Sequence, residues 1–122
     1  MTDNDKLRAL ARRQIAHFEA LRKLGFPSDE IFVAFYNGGE LFTTLRERGK
    51  EFNITISKGE KIDAQAYQPV YEEVATAWNT TMTKKEREEI YFGEFTEMKL
   101  AELALVLKMK GFDVNPARGM QQ

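Results

Sequence analysis

Between Glu30 and Ser57 the apolar residues alternate: EIFVAFY, then NGG, then ELFTTLRE, then RG, then KEFNITIS. On either side of that stretch they recur every three or four residues instead. A period of two marks half-buried strands and a period near 3.6 marks amphipathic helices. The pattern therefore predicts an α+β fold: an N-terminal amphipathic helix, a three-stranded antiparallel meander over about residues 30–57, and a C-terminal half of two to three helices packed on one face of the sheet.

The first helix is expected to start on a cap at Asp3 or Asn4 and to run to about Leu24, with Gly25 ending it. Leu7, Leu10, Ala11, Ile15, Phe18, Leu21 and Leu24 share one arc, and Arg8, Arg12, Arg13, Glu19 and Lys23 lie opposite. His17 sits at the margin of the apolar arc. In the meander, two-residue turns at Gly38-Gly39 and Arg48-Gly49 set Tyr36 against Leu41, Ala34 against Thr43 and Phe32 against Leu45. The second turn sets Leu45 against Phe52, Thr43 against Ile54 and Leu41 against Ile56. That register makes Phe32, Ala34 and Tyr36 part of the core face and turns Ile31, Val33 and Phe35, with Phe42 beside them, to the other side. The first strand is then apolar on both faces and lies at the sheet edge, where it needs a covering helix or a second copy of itself.

Residues 58–62 form a turn, and Asp63 can open the next helix, although Pro69 is expected to delay its regular part to near Gln68. Tyr67, Tyr71, Val74 and Trp78 follow at helical spacing, as a packing face does. Thr83 and Glu86 match a capping box for a short helix to about Phe92, which Gly93 should break. The final helix, residues 96–110, is apolar on two sides: Leu100, Leu103, Ala104 and Leu107 on one, Met98, Leu105 and Met109 on the other, with Val106 on a third. Gly111 ends it, with Phe112 and Val114 able to fold back, and residues 115–122 read as a frayed polar tail. LRKLGF and LKMKGF resemble each other only as helix ends, so no internal repeat is inferred.

Length and composition fit a single globular domain spanning 1–122: 122 residues, 43% hydrophobic, 30% charged and a net charge of -1. The absence of cysteine and the single histidine remove disulfides, thiolate catalysis and Cys- or His-rich metal centres. Glu86, Glu88, Glu89, Glu94 and Glu97 are interleaved with Lys84, Lys85 and Arg87, which suits a solvated face better than a cation site. No phosphate loop, zinc-protease pair or nucleophile elbow occurs, so no cofactor is expected and the balance tilts away from an enzyme. The opening residues carry no secretory pattern and no stretch is long and apolar enough for a membrane span, which points to the cytoplasm.

These features favour a small non-enzymatic interaction, adaptor or regulatory domain that pairs with itself as a homodimer or with another protein. Ile31, Val33, Phe35, Phe42, Met98, Leu105 and Met109 are the expected interface. One alternative is a nucleic-acid binder using Arg46, Arg48, Lys50 and Lys58 with the basic face of the first helix. Pairing of Arg46 with Glu51 and of Glu47 with Lys50 across the second turn, and a core-facing Phe52, weigh against it. A second alternative is a ligand-binding protein or small enzyme with a pocket lined by Tyr67, Tyr71, Trp78 and His17.

Overall fold

A computed structural model describes residues 3–36 and 38–114. In chain order these form α1 (Asp3–Lys23), a single 3-10 turn (Ser28–Glu30), β1 (Ile31–Phe35), β2 (Leu41–Glu47), β3 (Lys50–Thr55), α2 (Ala64–Thr80), α3 (Lys84–Glu94) and α4 (Glu97–Met109). The three strands make one open antiparallel sheet in the order β1-β2-β3. The α+β class and the order of elements are those the hydrophobic pattern predicts. Asp3 is already helical, so the position that caps α1, like the expected tail at 115–122, lies outside the described residues.

The register of the second hairpin matches the sequence: Leu45 faces Phe52, Thr43 faces Ile54 and Arg46 faces Glu51. Its turn is the expected two-residue one, with positive φ at both Arg48 (50°) and Gly49 (80°). The first hairpin differs by one residue. Phe35 faces Leu41, Val33 faces Thr43 and Ile31 faces Leu45. The Tyr36 N–H donates to the Glu40 carbonyl at 3.3 Å and the Gly39 N–H to the Tyr36 carbonyl at 2.8 Å, so the loop holds three residues rather than two. Because side chains alternate, that single residue exchanges the faces of the whole strand. Ile31, Val33 and Phe35 point to the helices, and Phe32 and Tyr36 to the outside. The exchange turns three wholly apolar side chains inward and leaves Ala34 and the Tyr36 hydroxyl outside, and the backbone of the following loop holds it there: the Ile62 N–H donates to the Gly39 carbonyl at 2.7 Å.

Two helix boundaries also depart from expectation. Pro69 lies inside α2 instead of delaying it, because Asp63 caps the helix by accepting from the Gln65 N–H at 3.0 Å and because the turn before the proline buries Tyr67 completely. Gly93 lies inside α3 and does not break it: the helix continues to Glu94, which pairs with Arg13 at 3.3 Å, and ends on the buried Phe95. The capping box at Thr83 and Glu86 forms as predicted. The ends of α1 and α4 are alike: the Phe26 N–H bonds back to the Leu21 carbonyl at 3.1 Å and the Phe112 N–H to the Leu107 carbonyl at 3.0 Å. The two phenyl rings then meet edge to face, with centroids 6.2 Å apart.

The core is built around α1. Its first half packs Leu10, Ala11 and Ile15 against Leu41 and Ile56 of the sheet and Tyr67, Val74 and Trp78 of α2. Its second half packs Leu21 and Leu24 against Ile31, Leu45, Leu107 and Phe112. On a third side Ala16 and Ala20, both fully buried, lie beneath Tyr91 and Phe95. The face that reads as polar in the sequence thus accepts α3 through two alanines, small enough to let a second helix approach closely.

Candidate functional site

Thr96 caps α4 by accepting from the Lys99 N–H at 3.2 Å, and the inner side of the helix is anchored by Leu107, which is fully buried. At about 100° per residue, Met98, Leu105 and Met109 fall within about 40° of each other on the opposite side. They are 72%, 60% and 78% exposed, and Val106 beside them is exposed as well. Nothing among the described residues covers this strip. It is the apolar surface the sequence singles out on this helix.

The other expected interface residues are placed differently. Ile31 is buried and Val33 and Phe35 are half-buried on the helix side of the sheet, so only the backbone edge of β1 is open there. Phe42 is half-buried on the outer face, where the Tyr36 ring stands edge-on to it at 4.6 Å. Tyr36 reaches across the sheet: its hydroxyl donates to Glu51 Oε1 at 3.1 Å and accepts from the Asn53 amide. The Thr44 hydroxyl donates to Asn53 Oδ1 at 2.8 Å, and Thr44 is fully buried although it belongs to the outer face. A chain of side-chain hydrogen bonds therefore spans all three strands.

Of the cations of the nucleic-acid alternative, Arg46 alone lies on this face. Arg46 donates to Glu51 Oε2 at 3.1 Å and its guanidinium lies 5.5 Å over the Phe32 ring. The Lys50 ammonium donates to the Gly111 carbonyl at 2.6 Å. Arg48 is exposed in the turn, and Lys58 is exposed beyond the far end of β3, about 17 Å away along a strand of this length. Phe52 faces the core with the Lys110 ammonium 5.4 Å over its ring. These residues are not gathered into one basic, aromatic surface.

Of the four expected pocket residues, Tyr67, Tyr71 and Trp78 share the inner side of α2. Tyr67 is sealed: its hydroxyl donates to Gln14 Oε1 at 2.6 Å, and Gln14 Nε2 donates to the Phe42 carbonyl at 3.1 Å. Burial, then the neighbouring Tyr71, holds the Tyr67 hydroxyl above the usual tyrosine range, and burial does the same to Tyr71. Both remain neutral. His17 is not brought to them. It packs edge-on against Phe95 at 4.6 Å, with Nδ1 sealed and without a hydrogen bond. Burial chiefly, then the charges of Arg13 and Lys99, lowers its pKa to about 4. A neutral imidazole with no proton partner is a packing group in this position, not a general base.

No family model, curated protein or solved structure matches the chain. Among the described residues no group of three or more acidic or histidine side chains converges as a metal site would require, and no helix is long and apolar enough to cross a membrane. Sequence reasoning missed Gln14, a fully sheltered polar tie between α1, α2 and β2. Its one visible signal is a polar residue at the centre of an otherwise apolar arc.

Proposed function

We propose that the chain is a small non-enzymatic interaction domain of the cytoplasm that pairs with a second copy of itself through the outer strip of α4. The observation that supports it is the alignment of Met98, Leu105 and Met109, all more than half exposed, on a helix whose opposite side is already seated in the core. Exposed apolar side chains gathered on one side of a helix are unfavourable in water unless a partner covers them, even with Glu102 at the margin of the strip, and unbranched thioether side chains adapt to the facing surface. Two copies of α4 packed antiparallel about a twofold axis would bring Met98 of each near Met109 of the other. A strip this narrow supplies less than the roughly 800 Å² per partner of a standard interface, so the dimer is expected to dissociate on dilution.

Light scattering across a concentration series tests this directly. The mass should rise from the 14.1 kDa monomer toward twice that value, and Leu105→Glu should hold the protein at the monomer mass without loss of thermal stability. A wild-type protein that stays monomeric at every concentration, or a Leu105→Glu variant that still dimerises, overturns the assignment.

A further inference from the structure

Two cavities lie side by side where α1 meets α2 and α3. One, of about 280 Å³, is bounded by Arg22, Lys23, Lys84 and Arg87. Glu19 and Glu88 also line it, so four cations face two carboxylates in a protein whose net charge is -1. The cations are poorly compensated. Lys84 is 3.9 Å from Glu88, Lys23 lies 3.9 Å over the Tyr91 ring, and the guanidinium group of neither Arg22 nor Arg87 makes an ion pair or hydrogen bond among the described residues. Tyr91, which also lines this cavity, is 5% exposed and its hydroxyl has no hydrogen-bond partner.

The second cavity, of about 250 Å³, shares Glu19, Arg22, Trp78 and Asn79 with the first and continues past Ile15, Phe18, Tyr71 and Ala75. One end is therefore cationic, and the other adds the apolar and aromatic side chains of Ile15, Phe18, Tyr71 and Ala75 to a wall that still carries Glu19, Ser28 and Asn79, with Trp78 common to both. Arginines with an unpaired guanidinium group beside an aromatic floor, here the exposed Arg22 and the half-buried Arg87, are well suited to an oxyanion whose body is apolar.

We propose that this paired cavity binds a small organic anion, its carboxylate or phosphate group held by Arg22, Lys84 and Arg87 and its apolar body laid along Trp78 toward Phe18 and Tyr71. The occupant is a molecule of fragment size, since each compartment is near the lower limit of ordinary ligand sites. The site is separate from the outer strip of α4, so it stands or falls independently of self-association.

Trp78 is the only tryptophan in the chain, so tryptophan emission, excited selectively over the four tyrosines, reports on this site. Phenyl phosphate and benzoate are the probes, with inorganic phosphate to test the head group by itself and phenol to test the body by itself. The expected result is a saturable fluorescence change with at least one of the two aromatic anions, weaker with inorganic phosphate and with phenol, and weakened further by added salt. Whichever of phenyl phosphate and benzoate binds more tightly identifies the head group. Arg22→Gln and Arg87→Gln should each weaken binding about tenfold, the loss of one charge-assisted contact. Lys58→Gln, on the far side of the molecule, should bind as the wild type does. Arg22 is exposed, so that variant remains informative if Arg87→Gln fails to fold. No saturable change in the wild-type protein, or equal affinities in wild type and Arg22→Gln, overturns the proposal.

Discussion

Gln14 is 1% exposed and spends both ends of its amide on neighbours, one on the Tyr67 hydroxyl and one on the Phe42 carbonyl. A buried donor deprived of its acceptor loses more than the bond was worth, because it cannot return to water. Gln14→Leu keeps the volume and strands the Tyr67 hydroxyl, so chemical denaturation should show a loss of about 2 kcal/mol. Adding Tyr67→Phe removes the stranded group, and the double variant should be more stable than the sum of the two single losses by about 1 kcal/mol. Simple additivity would show that the bond contributes nothing. His17 makes a second residue-scale prediction. Its folded pKa of about 4 lies below the ordinary value of 6.5, so below pH 6.5 the unfolded chain takes up a proton that the folded one refuses. The stability of the wild type should therefore fall relative to His17→Gln between pH 6.5 and 4 and run parallel below that. The ceiling is about 3 kcal/mol, and less is expected because the ring is not fully enclosed. Denaturant midpoints that stay parallel across this window would refute the assignment. The sequence placed His17 at the margin of an apolar arc but could not name its neighbour, because Phe95 is 78 positions away and only the packing of α3 brings it in.

The one-residue difference in the first hairpin shows what an element can and cannot state in advance. Alternation in β1 is equally apolar in both phases, so periodicity identifies the strand without choosing its face. In β3 polar residues occupy the outward phase, Glu51, Asn53 and Thr55, and its two-residue turn ties β2 to it, so there the register was legible to the residue. What decides β1 is loop length, and loop length is fixed by a contact distant in sequence. Gly39 has φ of +78°, and a Cβ at that position would lie 2.9 Å from the Ile62 carbonyl oxygen. Gly38 has φ of +99° with nothing within 4 Å of the same added atom. Gly38→Ala should therefore cost only the conformational term, about 1 kcal/mol, whereas Gly39→Ala should cost about 2 to 3 kcal/mol because the Ile62 backbone must also move. Thermal or denaturant unfolding of the two variants checks this; equal losses would mean that the loop is not held by Ile62. The helices tell a similar story. Apolar spacing located α1, α2 and α4 and a capping box located α3, and both misplaced boundaries came from giving Pro69 and Gly93 local rules that burial of Tyr67 and Phe95 overrides.

For the molecule as a whole, the centre is α1 rather than the meander that dominates the pattern. Ala11, Ala16, Ala20 and Leu21 are all 0% exposed, and they lie on different sides of one helix. Alanine carries almost no signal in a hydrophobicity pattern, which is why the α3-facing side of α1 was silent in the sequence while its sheet-facing side was plain. The consequence is measurable by amide hydrogen exchange. Amides in the second half of α1 should open only with global unfolding, and those of β1, β3 and α4 should exchange sooner through local opening. Faster exchange in α1 than in β2 would contradict its central place. The proposed sites follow the same geography: both lie where α1 is not sealed by the sheet, one cavity beside its second half and one strip on the helix that covers its end.

The edge-to-face contact of Phe26 and Phe112 has a consequence for synthesis. The ribosome delivers α1 early, and its sheet-facing side can be covered as soon as the three strands follow. The side of Ala16 and Ala20, and the end at Leu21 and Leu24, wait for Tyr91, Phe95, Leu107 and Phe112. Throughout that interval the first helix has no complete set of neighbours, so its native packing is complete only once α4 and Phe112 have left the exit tunnel.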